Sequence, residues 1–264
     1  MNRQASFLSL PEWINPPFKS LHSHGSNHMQ TLLDSAFKIP VLMERFDCKR
    51  HSPVVNSQAL NKTAEEAFDI LASMKVWESL IREGDDTTQL YIPRLAGFLH
   101  SNEESGEDGK IFPFSYDFPS FDIATILVYY EMFQIFLYGI LIDIKLCSPS
   151  ARQSKSDQSD FDSPSIDIRD LTSKSIDCAD RICQSAEYFF DGSTQITGRM
   201  VMLCPFQAAK SLFARLTQTG TGDDQQDIIM RRKVEFCNDV AKRFAEQELH
   251  AWGGQTLWGR NATE

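Results

Sequence analysis

An all-α fold is what this sequence predicts: a single helical domain of about 7–10 helices around a long central apolar helix at about 121–146. Three observations lead there. Apolar residues recur at helical spacing in several separate stretches. No run alternates cleanly enough to read as a strand. Residues 121–146 are the most apolar helical stretch of the chain.

Taken in order, residues 1–27 read as an irregular arm. Pro11, Pro16 and Pro17 interrupt any helix, and Trp13, Ile14 and Phe18 are expected to dock the arm on the body. Residues 28–39 read as a short helix ending at Pro40, with a second apolar stretch from Val41 to Phe46. Asn61 or Thr63 is a candidate cap for the next helix, with Glu65 and Glu66 in its first turn. Its stripe is Ala67, Ile70, Leu71, Met74, Trp77, Leu80 and Ile81, and Gly84-Asp85-Asp86 stops it.

Residues 100–120 form an acidic connection that turns aromatic from Ile111 to Phe118 and is expected to lie against the core. Pro119 and Ser120 then open the apolar helix. At 1.5 Å per residue that helix is roughly 39 Å long, enough to cross a bilayer. Asp122, Glu131, Gln134, Asp143 and Lys145 punctuate it, so a buried central helix is expected and no membrane span.

The Ser- and Asp-rich stretch 148–165 reads as a flexible loop. Ser165 or Asp167 is expected to cap a helix striped by Ile176, Ala179, Ile182, Cys183, Ala186, Phe189 and Phe190, which ends at Asp191-Gly192-Ser193. A helix at about 199–217 carries Met200, Leu203, Cys204, Ala208, Leu212, Phe213 and Leu216. After a Gly220-Thr221-Gly222 turn, the last helix runs over about 224–249 on Ile228, Ile229, Val234, Cys237 and Val240. The domain is thus read as 28–250, with 251–264 as a tail pinned by Trp252 and Trp258.

Composition narrows the function classes. The 264 residues are 42% apolar and 11% aromatic, with 19 Phe, which fits a folded chain with an aromatic interior. The formal net charge of −10 disfavours direct nucleic-acid binding, which needs a basic face. The one dense basic run, Arg231-Arg232-Lys233, reads as a solvated helix face. Six dispersed cysteines include no CxxC pair, so a zinc-finger site is not expected and most are expected to be small core hydrophobes. No secretory signal is apparent at Met1 to Leu10, which with the scattered cysteines suggests a reducing, cytoplasmic setting.

No nucleophile-elbow, metalloprotease, phosphate-loop or dinucleotide pattern is present. His22, His24 and His28 are close in sequence, but their Gly/Ser setting reads as exposed loop and not metal site. No cofactor or metal is expected. Polar residues on the apolar helix (Tyr129, Tyr130, Glu131, Gln134) need partners if buried. An apolar cavity with a few polar contacts is the usual make-up of a small-molecule site. The candidate lining residues are Trp77, Tyr130, Phe133, Gln134, Tyr188, Phe206 and Phe213.

Ile182-Cys183-Gln184-Ser185-Ala186-Glu187-Tyr188-Phe189-Phe190, then Gly198, then Cys204-Pro205-Phe206-Gln207-Ala208-Ala209-Lys210, resembles the C-terminal regulatory region of fungal-specific zinc-cluster transcription factors. Glu12-Trp13, Pro16-Pro17-Phe18, Leu32-Leu33 and Ile39-Pro40 are similar to an earlier part of that region. The family's six-cysteine DNA-binding cluster has no counterpart here. The resemblance implies a helical ligand-responsive domain without its DNA reader. Two functions are then open. One is a stand-alone protein that binds a hydrophobic small molecule, such as a metal-free cyclase or isomerase of fungal secondary metabolism that folds its substrate and aims a hydrogen-bond donor at developing charge. The other is a regulator, located in the nucleus, that acts as a homodimer or by pairing with a zinc-cluster factor.

Overall fold

The computed structural model describes residues 28–50, 57–83, 90–97, 110–147, 167–190, 195–220 and 224–253. Their elements are α1 (His28–Ala36), α2 (Lys38–Arg50), α3 (Ser57–Glu83), β1 (Ile92–Leu95), β2 (Phe114–Asp117), α4 (Phe121–Cys147), α5 (Ile168–Phe190), α6 (Gln195–Thr219) and α7 (Asp224–Gly253). The fold is all-α, with one short strand pair. The arm with Trp13, Ile14 and Phe18, the loop 148–165 and Trp258 lie outside the described residues, as does the Trp252 side chain.

The central position expected for α4 is what the structure has. Fifteen of its side chains are buried, and it packs against α1, α2, α3, α5 and α6. Each buried Leu, Ile or Val on it contributes about 1.5–3 kcal/mol of transfer free energy. Its mean hydropathy of 1.6 and its length match a bilayer span, but 72% of that apolar window is covered by the other helices. Local chemistry sets its start: Ser120 accepts the Ile123 amide at 3.2 Å, and its carbonyl accepts the amide of Ala124. Asp167 caps α5 in the same manner, accepting the Arg169 amide at 2.9 Å. At the other end of α6, Gly220 takes φ 61°, the left-handed conformation that closes a helix.

Several sequence expectations need correction. Pro40 does not end a helix; it sits in the first turn of α2, where its missing N–H is not required, and α1 stops earlier at Ala36. Val41–Phe46 continues α2. Neither Asn61 nor Thr63 is a cap, because α3 begins at Ser57. Thr63 is buried, donates to the Ala59 carbonyl and accepts from Lys49 Nζ. The antiparallel pair β1–β2, with Ile92 opposite Asp117 and Leu95 opposite Phe114, was not expected. Four residues each, with Pro93 in one strand, are too few to show an alternating pattern. Leu80, Met200, Leu203, Cys204 and Ile228 are expected in buried stripes and are exposed. Of the cysteines, Cys178, Cys183 and Cys237 are buried, Cys147 is intermediate and Cys48 is exposed.

The basic run also differs from its reading. Lys233 is buried, its ammonium held by both Asp180 carboxylate oxygens at 2.6 and 2.7 Å and lying over the rings of Phe112 and Phe213. Of its neighbours, Arg231 is exposed and Arg232 is half-buried. Phe112 packs edge-on against Phe236, which fixes the segment after Lys110 to the core as expected. The buried Glu187 accepts the Gly97 amide at 2.9 Å and ties the end of β1 to α5.

Phe189 is fully buried among Phe118, Phe121 and Tyr188. Phe189→Ala should cost about 3–5 kcal/mol in urea denaturation, whereas Leu203→Ala, on the exposed side of α6, should change stability by less than about 0.5 kcal/mol.

Candidate functional site

Two recesses flank α4, and the helix period puts them on different sides. Glu131, Gln134 and Tyr130 face α3, the strand pair and α5. Met132, Ile135, Phe136, Gly139 and Ile140 face α6 and the edge of α2.

The first recess is a polar cavity of about 210 Å³. Its chemistry is two linked carboxylate clusters. Glu131 accepts Arg181 Nε at 2.7 Å and Nη2 at 2.8 Å, a two-point fork between α4 and α5. Glu78 on α3 accepts the Tyr130 hydroxyl at 2.7 Å and Arg82 Nη2 at 2.7 Å. The Tyr138 hydroxyl donates to Gln134 Oε1 at 3.1 Å. The polar groups of the apolar helix thus have partners, as burial requires.

These contacts set the ionisation of the cluster. Burial raises the Tyr130 phenol far above its ordinary value, and the adjacent Glu78 carboxylate raises it further, so it stays a donor. Burial alone would raise Glu78, but the hydrogen bonds from Tyr130 and Arg82 outweigh it and hold the carboxyl below its ordinary value. Cys178 and Cys183 are pushed upward, first by burial, which removes both as thiolate nucleophiles.

The second recess is an open groove of about 660 Å³ between α4 and α6. Its surface is mostly apolar, with Met43 of α2, Met132, Ile135, Ile140, Ala208 and Leu212. Gln207 and Ser211 stand on the α6 side, and Arg215 pairs with Asp143 at 3.6 Å at one end. Gly139 lies in this wall. A Cβ there would meet only Arg215 Nη2 at 3.7 Å and Nη1 at 3.9 Å, ordinary contacts.

Of the seven residues singled out from sequence, Tyr130 and Gln134 line the polar cavity. Trp77 stands behind it, its ring 5.2 Å from Tyr130 and its Nε1 donating to the His28 carbonyl. Tyr188 packs on Phe118, which lines the cavity. Phe133 pairs with Tyr129 outside both recesses. Phe206 and Phe213 are in the core. Sequence reasoning missed Glu78, Arg181 and the whole groove. A glycine in the middle of an otherwise apolar helix was the available signal for the groove. Of the three histidines, His28 opens α1, and His22 and His24 lie outside the described residues. No cluster of three or more metal-ligating side chains occurs among the described residues.

Comparisons with protein-family models, with curated proteins and with solved structures find no match for this chain.

Because the Glu78 value is depressed in the folded chain, its stabilisation is present above its unfolded value near 4.5 and is lost as the pH falls through the folded one. Tyr130→Phe should therefore cost about 1–2 kcal/mol at neutral pH, and urea melts should show that difference narrowing below about pH 4 as Glu78 takes up a proton.

Proposed function

We propose that this chain is a small-molecule-binding helical domain whose ligand is apolar and sits in the groove between α4 and α6. The observation that carries the proposal is Gly139. A glycine inside a helix costs roughly 0.5–1 kcal/mol relative to alanine. Neither a positive φ nor a close backbone approach calls for it at this position. What its missing side chain provides is open groove. The volume of about 660 Å³ falls within the roughly 300–1,000 Å³ of small-molecule sites, and an apolar wall with a few polar groups is their usual lining.

The finer reading is a cyclase or isomerase of fungal secondary metabolism that works without a cofactor and is cytoplasmic. The likeness to a zinc-cluster regulatory region without its DNA reader motivates it. The groove would fold an apolar chain, and the amide of Gln207 and the guanidinium of Arg215 would donate to charge that develops on ring closure. The second reading, a nuclear regulator that pairs with another protein, draws on a different feature. Met200 and Leu203, three residues apart on α6, are 60% and 56% exposed, an apolar surface suited to a protein partner.

Two substitutions at one position test the binding claim. Gly139→Ala should raise stability by about 0.5–1 kcal/mol and leave uptake of the apolar fluorophore N-phenyl-1-naphthylamine intact. Gly139→Leu should keep the fold and weaken uptake by about tenfold or more. Equal uptake by wild type and Gly139→Leu would remove the groove as the site. For the regulator, M200E/L203E should dissociate an oligomer in sedimentation without changing dye uptake; a monomeric wild-type chain contradicts the homodimer form of that reading.

A further inference from the structure

The polar cavity has chemistry that the groove reading does not use. At about 210 Å³ it lies below the roughly 300 Å³ at which drug-sized sites begin, so its occupant is small. Lys75, Arg82 and Arg181 line it against Glu78 and Glu131. Three cations against two carboxylates leave one net positive charge, in a chain whose formal charge is −10.

Both carboxylates are already engaged, so they do not neutralise what remains. The Glu131 fork occupies Nε and Nη2 of Arg181. Nη1 carries two further N–H donors and has no hydrogen-bond partner among the described residues, on a side chain that is 34% exposed. Lys75 is exposed on the lining, and its ammonium has no ion pair among the described residues. The fork holds the guanidinium still, so little side-chain entropy is lost when Nη1 engages a second acceptor.

The cavity also has an aromatic wall of two inclined rings. Tyr91, just before β1, and Tyr116, on β2, hold their ring centroids 4.5 Å apart at 48°. Burial raises the Tyr116 phenol first of all, and the neighbouring Tyr91 adds to it, so Tyr116 remains a neutral donor. The strand pair missed in the sequence is what brings these two rings together.

We propose that this cavity binds a small aromatic monocarboxylate of about benzoate size, with its carboxylate on Arg181 Nη1 and Lys75 and its ring against the Tyr91–Tyr116 wall. Nη2 also donates to Cys178 Sγ at 3.5 Å, so Nη1 alone is open on Arg181, and a carboxylate can accept from it with one oxygen and from the Lys75 ammonium with the other. A dianion such as phosphate would face Glu78 and Glu131 with only one positive charge left over, so a monoanion is favoured.

The test is titration of the full chain, labelled on its tyrosine rings, with benzoate, benzyl alcohol and inorganic phosphate, followed by NMR. Benzoate should shift the Tyr91 and Tyr116 signals with a Kd on the order of 1 mM, as expected for a ligand of its size. Benzyl alcohol, which lacks the charge, should shift them at least about tenfold more weakly. Lys75→Gln, at an exposed position, should raise the benzoate Kd about two- to fivefold. E131Q/R181Q, which exchanges the ion pair for an amide pair, should abolish benzoate binding while circular dichroism stays unchanged. If the double variant does not fold, the probe comparison and Lys75→Gln still decide. The proposal is overturned if benzoate leaves both rings unshifted at about 20 mM, if benzyl alcohol binds as well, if phosphate displaces benzoate at equal concentration, or if Lys75→Gln binds benzoate like wild type.

Discussion

Everything in this molecule depends on how α4 is covered. Twenty-seven residues of mostly apolar sequence cannot be left in water. Five other helices provide the cover, and one carboxylate in the middle has to be brought inside with them. Glu131 is tolerated because Arg181 answers it with a two-point fork. Removing one partner of such a pair leaves the other charge poorly solvated, at a cost of up to about 3–5 kcal/mol when burial is complete. The fork therefore fixes the rotation of α4 against α5. Once that rotation is set, the faces of α4 are assigned.

The two recesses follow from that assignment. The side carrying Tyr130, Glu131 and Gln134 meets α3 and α5, which bring charged groups of their own. The result is a small cavity in which most polar atoms have fixed partners. The side carrying Met132, Ile135, Gly139 and Ile140 meets α6, where Ala208 and Ser211 are too short to fill the space. The groove is thus a consequence of small residues at the helix crossing, and the Asp143–Arg215 pair bounds one end. A helix that serves as the core on most of its circumference can carry a binding surface only where such small residues leave it uncovered.

The helical class, the place of α4, its opening at Pro119 and Ser120, and Asp167 as one of two cap candidates for α5 were legible in the sequence because each rests on local chemistry. Periodicity and a capping oxygen act over one to three turns. What failed to show was nonlocal. The strands β1 and β2 pair across a separation of some twenty residues and have four residues each. The Glu131–Arg181 and Lys233–Asp180 pairs join residues about fifty apart, and no spacing announces them. Aromatic residues drew the reading toward Phe206 and Phe213, which are core. The groove is made from Gly139, Ala208 and Ser211, and small residues leave no hydrophobic signature. Tyr130 and Gln134 were found for a different reason: a polar group on an apolar helix always requires a partner.

The most direct measurement is methyl-resolved NMR of the chain with an apolar ligand, reading which side chains it touches. A ligand seated in the groove should give intermolecular contacts to Ile135, Ile140 and Leu212 together, since all three line its interior. Contacts confined to the exposed Met200 and Leu203, with none to those three, would contradict a ligand seated in the groove.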